Sequence, residues 1–451
     1  MWVLHSYNTP NTCISLLTSL FIYPFKFQVV NEPFDLYADD VPHPKQHWSG
    51  LQKRVEHFLT SPLNINKRLW EVQLSTGPLG SSGAIPPCRV LSRSLHKSFP
   101  SETVALFRMH HALADGVSIG VAIGDSTDEA DDLHQIVQSK IEKGKEKAKG
   151  RSLVETVRLL FLVLLHYILG TAKALSLQAW RSFRATTRPF DDVISQSNIP
   201  AGARSVTWRI VAPVSEIKQI AKSTLKSATI NDVLVAMVMH AVWKQLQEHQ
   251  KLSEERRIPK GGGGQAIWVP SHVNITIPVH LNGGVLLPGE TLGNKIGAFV
   301  TSVPLGGENV DSLRGKEEGC LQRLVGISTA LRGGKSTTAP LIAWTIAKIL
   351  SDWAPTPLTK WAIENFNAKS VAVISNVKGF PFKVHWLGRP LELFCAFLPL
   401  PPGIPIGVVI SSYDGEISFT VDADKRAVPD ADRFGDWMAE EYVRMKRETC
   451  Y

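Results

Sequence analysis

Cysteine is scarce in this 451-residue chain. Its five residues, Cys13, Cys88, Cys320, Cys395 and Cys450, are scattered and odd in number, with no C-x-x-C pair. That pattern excludes a disulfide scaffold and a cysteine-rich zinc site, and it favours a reducing compartment. Excess charge of one sign is also missing: 49 Lys+Arg against 41 Asp+Glu leave a net +8. No basic block is interleaved with aromatics, so a nucleic-acid partner is not expected, whereas a mild positive balance suits anionic lipid headgroups. What the chain does contain is core material. With 44% hydrophobic and 20% charged residues, disordered and collagen-like chains are excluded, and the length allows two or three domains.

Two stretches have the apolarity to touch a bilayer. Residues Cys13 to Phe25 are too short to span one and lack a basic flank or an A-x-A-like site, so a cleaved signal peptide is not expected. The segment 153–177 has an apolar centre at Leu159 to Leu165 but carries Glu155, Arg158, His166 and Lys173. A spanning helix needs about 20 mostly apolar residues. Upstream lie Lys140, Lys143, Lys145, Lys147, Lys149 and Arg151. Basic residues beside an apolar helix suit one lying in a membrane interface; a buried core helix after a charged linker is the alternative.

Residues 125–151, acidic and then lysine-rich, read as an exposed linker. Breaks are expected at 247–265, which contains four consecutive glycines, and at 283–289, so that 246–289 forms a linker or loop region between domains at 31–245 and 290–445. Thr103 to His110 alternates as a strand. Ile230, Val233, Leu234, Met237, Val238, Ala241 and Val242 recur at helical spacing, with Thr229 and Asp232 forming a capping-box-like start. Ser370 to Ser375 reads as a short strand. Ile406–Tyr413 and Glu416–Asp422 flank Asp414-Gly415, a two-residue hairpin signal. This mixed order implies an α/β or α+β protein with large sheets.

The sharpest chemical signal is Met109-His110-His111-Ala112-Leu113-Ala114-Asp115-Gly116 at a strand end. If the strand persists, Ala105, Phe107, Met109 and His111 share one face and Val104, Leu106, Arg108 and His110 the other. His111 then stands on an apolar row, where desolvation disfavours imidazolium and leaves a ring able to accept a hydroxyl proton. Asp115 is placed to orient a ring or to hold the turn, and Gly116 to adopt a backbone conformation other residues resist.

The spacing H-H-x-x-x-D-G is similar to that of the acyltransferase superfamily that includes chloramphenicol acetyltransferase and peptide-synthetase condensation domains. The form HHALADGVS most resembles the wax ester synthase/diacylglycerol acyltransferase family. Further segments match in the same order: Pro62-Leu63, Leu69-Trp70-Glu71, Thr229-Ile230-Asn231-Asp232-Val233-Leu234, Gly293-Asn294-Lys295-Ile296-Gly297, Ser375-Asn376-Val377-Lys378-Gly379, Ser412-Tyr413-Asp414-Gly415 and Val421-Asp422-Ala423-Asp424. The resemblance covers about residues 31–440 and leaves 1–30 unassigned. It implies two lobes, each like chloramphenicol acetyltransferase, with an active-site tunnel between them. It also implies that His111 is a general base deprotonating a lipid alcohol, diacylglycerol or fatty alcohol, which attacks the thioester of a long-chain acyl-CoA. His110, Asp115 and Gly116 would shape the site, and acyl-CoA is a co-substrate, with no metal or redox cofactor. Lipid substrates imply a membrane surface as partner, at the cytosolic face of the endoplasmic reticulum or plasma membrane. The family's Pro-Val-Ser/Asn-x-Arg segment has a counterpart in Pro278-Val279-His280-Leu281, which lacks the arginine.

Other signals compete. Gly116-Val117-Ser118-Ile119-Gly120 fits G-x-S-x-G, which would make Ser118 the nucleophile of a lipid-ester hydrolase, although it lies too far past the strand for an elbow. Gly334-Lys335-Ser336 lacks the first glycine of a P-loop, and His43, His47 and His57 lack zinc-ligand spacing. Asn376 either donates to a developing oxyanion or caps a strand end. Asn231 joins it as a candidate substrate contact, although its place in a first helical turn gives it a structural role. A non-catalytic lipid-binding relative is the remaining alternative.

Overall fold

The computed structural model describes residues 2–6, 49–63, 70–77, 102–111, 113–149, 189–257, 269–281, 293–305, 319–335, 337–367, 370–386 and 388–449, with residue 284 and part of 155–176. Two sheets organise it. The first takes β1 (Trp2–Ser6), β2 (Trp70–Gly77) and β3 (Glu102–Met109) from the start of the chain. From far downstream it takes β8 (His385–Trp386) and β9 (Arg389–Ala396), in the antiparallel order β2-β3-β1-β9-β8. The second sheet holds β4 (Arg204–Pro213), β5 (His272–His280), β6 (Ile296–Pro304), β7 (Ser370–Lys378), β10 (Ile406–Tyr413) and β11 (Glu416–Asp424). Its order is β4-β11-β10-β7-β5-β6, parallel at β10/β7 and β7/β5 and antiparallel elsewhere. The fold is therefore mixed α/β.

Between these strands run helices α1 (Ser49–Thr60), α2 (Gly116–Gly124), α3 (Ala130–Lys149), α4 (Asp191–Ser195), α5 (Val214–Thr224), α6 (Ile230–Arg257), α7 (Cys320–Lys335), α8 (Ala339–Trp353), α9 (Thr356–Asn367) and α10 (Ala431–Thr449). The main core lies where the second sheet meets α5, α6, α7 and α10, centred on Val233, Met237, Ala241, Leu324, Phe434 and Met438. The stripe read on α6 is thus core packing. Its start is the expected capping box: the Thr229 N–H and hydroxyl donate to the Asp232 carboxylate at 3.0 and 2.9 Å. The Asp414-Gly415 hairpin also forms, with φ of 49° and 77° at its two central residues, a conformation only glycine and short polar residues adopt readily.

Four expectations need correction. Residues 125–151 are not a linker: α3 occupies 130–149, because Leu133, Ile136 and Val137 recur at helical spacing among residues of good helix propensity. No break begins at 247, since α6 runs unbroken to Arg257 through Gln, Lys and Glu. The linker region 246–289 contains β5, whose residues Val273 to Ile277 are all buried, on both faces of the strand, between β7 and β6. Finally, β1 opens the unassigned first thirty residues; its partners β3 and β9 both lie far along the chain, so no local turn signal announces it.

Candidate functional site

β3 delivers the motif. As its alternation requires, Ala105 and Phe107 pack toward α2 while Val104 and Leu106 pack toward α1. Glu71 of β2 lies opposite Arg108. Arg108 Nε donates to the Glu71 carboxylate at 2.9 Å, and its guanidinium rests 4.5 Å above the Phe58 ring. Glu71 of β2 therefore braces the strand that carries the histidines.

The strand ends at Met109. His110 is exposed, and its carbonyl accepts the Leu113 N–H at 3.0 Å, closing a turn that includes His111. The expected apolar row under His111 does not form, because the chain must reverse within a few residues to start α2 at Gly116. His111 is instead half-buried and lines a cavity of about 1550 Å³. That cavity's walls come from both sheets and from α2, α3, α6 and α8, with Met109, Leu133, Asn231, Ile346, Asn376 and Phe394 among them.

Asn294, which composition and spacing did not single out, holds the ring. Its Nδ2 donates to His111 Nδ1 at 2.8 Å and to the His111 carbonyl at 3.3 Å, while its Oδ1 accepts the Ile296 N–H at 3.2 Å. Its position inside Gly293-Asn294-Lys295-Ile296-Gly297 was the available signal. His111 Nε2 has no partner among the described residues and is the nitrogen left for chemistry.

Asp115 does not touch the His111 ring. It is buried and N-caps α2, its Oδ1 accepting the Ser118 N–H at 2.8 Å. Its Oδ2 accepts the Lys295 N–H at 2.9 Å, and its own N–H donates to the Gly293 carbonyl at 2.9 Å. His280 Nε2 stands 3.5 Å from Oδ2. The segment without an arginine thus supplies an imidazole beside the carboxylate. The Gly284 N–H donates to His280 Nδ1 at 3.2 Å, so in the neutral ring the hydrogen sits on Nε2, the nitrogen nearer Asp115. Asp115 is the clip that fixes the 293–295 segment, and with it Asn294, beside the histidine turn.

Gly116 needs no special backbone. It is the first residue of α2, and a Cβ there would meet only Val377 at an ordinary 3.7 Å. Ser118 is not placed as a nucleophile. It is buried inside α2, its hydroxyl donating to the Gly293 carbonyl at 3.0 Å and accepting the Gly293 N–H at 3.3 Å, with no histidine bonded to it among the described residues. Asn376 neither caps a strand nor stands alone: its Nδ2 donates to Asn231 Oδ1, and both residues line the cavity. The pairing occupies Asn231 Oδ1 and leaves its amide N–H groups as candidate donors. Lys335, at the end of α7, lies 3.8 Å from Asp232 rather than in a phosphate loop. Among the described residues no cluster of His, Cys, Asp and Glu could hold a metal ion.

Apolar surface flanks the cavity. α8, which contributes Ile342, Ile346 and Leu350 to the lining, has no buried residue. Ile349, Trp353 and Trp361 of α8 and α9 are exposed, Trp353 at 86%. In the 153–177 segment the described side chains Phe161, Leu162, Ile168 and Leu169 are exposed too, opposite to what a buried core helix would show at those positions. Thr171 reaches Thr338 beside α8 through a 2.9 Å hydrogen bond. Among the described residues no helix is long and apolar enough to cross a membrane.

Comparison with known proteins follows the same outline. Residues 292–446 match the model of the WS/DGAT C-terminal domain. A Mycobacterium tuberculosis protein named as a diacylglycerol O-acyltransferase is 23% identical over 410 residues, spanning 88% of this chain and 72% of its own length. Wax ester synthase/diacylglycerol acyltransferase 9 of Arabidopsis thaliana is 26% identical over 235 residues, 50% of this chain and 43% of that protein. The solved wax ester synthase/diacylglycerol acyltransferase from Marinobacter aquaeolei VT8 superposes over 100% of this chain and 94% of its own, with a TM-score of 0.48 and 15% identity. Residues 292–446 thus carry a match to the WS/DGAT C-terminal domain, and the chain as a whole is similar to proteins named as wax ester synthase/diacylglycerol acyltransferases.

Proposed function

We propose that this protein is an O-acyltransferase that moves a long-chain acyl group from acyl-CoA to a lipid alcohol, diacylglycerol or a long-chain fatty alcohol. The observation that carries this reading is His111 on the wall of a cavity of about 1550 Å³, with Nδ1 held by Asn294 and Nε2 without a partner among the described residues. In the reaction the alcohol oxygen attacks the thioester carbonyl as His111 Nε2 takes its hydrogen. The carbon–sulfur bond then breaks, and the imidazolium returns the hydrogen to the departing sulfur, giving an ester and CoA. No covalent acyl-enzyme is required, since holding both substrates in one cavity supplies effective concentration. The chemistry draws on no metal or redox group. Asn231, paired with Asn376, is the candidate donor to the oxyanion, and the cavity is the counterpart of the expected tunnel. His110, Asp115 and Gly116 serve by building the turn.

The same reading places the protein on a membrane surface, at the cytosolic face of the endoplasmic reticulum or plasma membrane. It is supported by exposed apolar side chains on the 153–177 segment and on α8 and α9, next to the cavity lining. Flotation with liposomes, for the full chain and for a folded form lacking 153–177, tests that segment as the anchor; equal flotation of the two rejects it.

The deciding experiment gives purified protein palmitoyl-CoA with a panel of fatty alcohols and diacylglycerols and reads ester by mass and CoA release by thiol titration. His111→Ala should lower turnover about 10²–10⁴-fold, the usual contribution of a general base. A non-catalytic lipid-binding relative would bind lipid and release no CoA. Turnover that survives His111→Ala refutes the assignment.

A further inference from the structure

The amide of Asn294 faces three backbone or ring groups at once, and they settle which way it points. Oδ1 accepts the Ile296 N–H at 3.2 Å, and Nδ2 lies 3.3 Å from the His111 carbonyl. Exchanging oxygen and nitrogen would set a donor against the Ile296 N–H and an acceptor against the carbonyl, so the hydrogen-bond pattern fixes the orientation. Nδ2 is therefore the atom 2.8 Å from His111 Nδ1, and Nδ1 must present its lone pair. In the neutral ring the hydrogen then sits on Nε2. A ring in that form donates at Nε2; it cannot take a hydroxyl hydrogen there.

We propose that Asn294 is a positioning residue that sets the tautomer of His111, and that turnover requires its amide to rotate by half a turn. This rests on the reading of His111 as the general base. The rotation goes with a change of tautomer in which Nε2 gives its hydrogen to solvent water and Nδ1 takes one from it; Oδ1 then accepts from Nδ1–H, and the Nε2 lone pair is free. Nε2 takes the alcohol hydrogen as the new carbon–oxygen bond forms, and the resulting imidazolium keeps Nδ1–H on Oδ1. The Nε2 hydrogen leaves with the CoA sulfur, and the ring returns neutral with its hydrogen still on Nδ1. The resting orientation would instead set the imidazolium Nδ1–H against the Nδ2 hydrogens, a repulsion that opposes proton uptake. The bonds exchanged are the two to the Ile296 N–H and the His111 carbonyl. The other charged or titratable groups nearby are Asp115, committed to the Ser118 and Lys295 N–H groups with His280 3.5 Å away, Asp125, His134, Lys335 and Lys378 on the cavity wall, and His110 and Lys295 beside the two residues.

The test labels the 14 histidines with nitrogen-15 in the full-length protein and assigns the His111 ring by its loss in His111→Ala. The resting wild type should show a protonated Nε2 and a bare Nδ1. Asn294→Asp offers only acceptors, so it should move the hydrogen to Nδ1. It should also retain turnover at alkaline pH, with the acidic limb of the rate profile moved up by about 1 unit or more, as a carboxylate beside an imidazolium does. Asn294→Ala should lower kcat with little change in the KM for palmitoyl-CoA. A resting ring with hydrogen on Nδ1, or an aspartate variant with unchanged tautomer and pH profile, overturns the proposal. Turnover unaffected by His111→Ala would sink the general-base reading instead, and the ring spectrum distinguishes the two failures because it needs no turnover.

Discussion

Replacing Asp115 asks whether this buried carboxylate acts on the chemistry or on the frame around it. Its two oxygens accept the Ser118 and Lys295 N–H groups at 2.8 and 2.9 Å, and hydrogen bonds to a charged group contribute about 1.5–3 kcal/mol each. Asp115→Ala strands both donors in a buried site and should cost about 3–6 kcal/mol, a large part of the roughly 5–15 kcal/mol that holds a typical domain together. Asp115→Asn keeps one acceptor for Ser118 but turns an NH2 toward the Lys295 N–H, so about half that loss is expected. Because Lys295 neighbours Asn294, both variants should also lose acyl transfer, in the same order as they lose stability. The measurements are free energy of unfolding by chemical denaturation and ester formation at a temperature where the variant is folded. If Asp115→Ala unfolds at the wild-type denaturant concentration while turnover collapses, the clip reasoning is wrong and the carboxylate acts directly in catalysis.

Three further outcomes are expected. Gly297→Ala places a Cβ 1.9 Å from the Pro340 carbonyl oxygen. It should therefore push α8 off β6, lower stability by about 1–3 kcal/mol or more and reduce turnover through the displaced cavity wall; a thermal midpoint and activity equal to wild type would contradict this. Ser118→Ala should keep most acyl transfer while costing about 1 kcal/mol for the lost bond to Gly293, and its abolition of turnover in a stably folded variant would revive the hydrolase-like nucleophile. The third concerns acid. His240 is fully buried, its Nδ1 accepting from Arg323 at 3.0 Å, and burial, reinforced by the Arg323 charge, pushes its pKa down to about 3 from 6.5. The unfolded chain therefore binds a proton between pH 6.5 and 3 that the native state refuses, so stability is full above 6.5 and is lost as pH falls through that window, by up to about 1.4 kcal/mol per unit. His240→Asn should flatten this acid limb; an unchanged slope would remove His240 from the account.

Much of the local structure was legible in the sequence because it depends on neighbours along the chain. Period-two alternation gave β3, the Thr229/Asp232 pair gave the start of α6, and Asp414-Gly415 gave the hairpin. The H-H-x-x-x-D-G spacing marked the turn that faces the cavity. Charge misled it twice: the lysine-rich run that becomes α3 and the polar end of α6 were read as breaks, since solvated residues and good helix formers are often the same residues. The alternating β5 strand was passed over between glycine-rich stretches.

Contacts between distant segments were beyond that reading. Strand β1 pairs with β9, Asp115 reaches Lys295 and His280, and Asn294 reaches His111, each across more than a hundred residues of chain. A sequence specifies which side chains can donate, accept or bury themselves. It does not specify which of many chemically equivalent partners will be within 3 Å, because that is settled by packing two sheets against shared helices. So the residues named the histidine and the acid, whereas the tertiary structure gave the acid to the frame and an asparagine to the histidine.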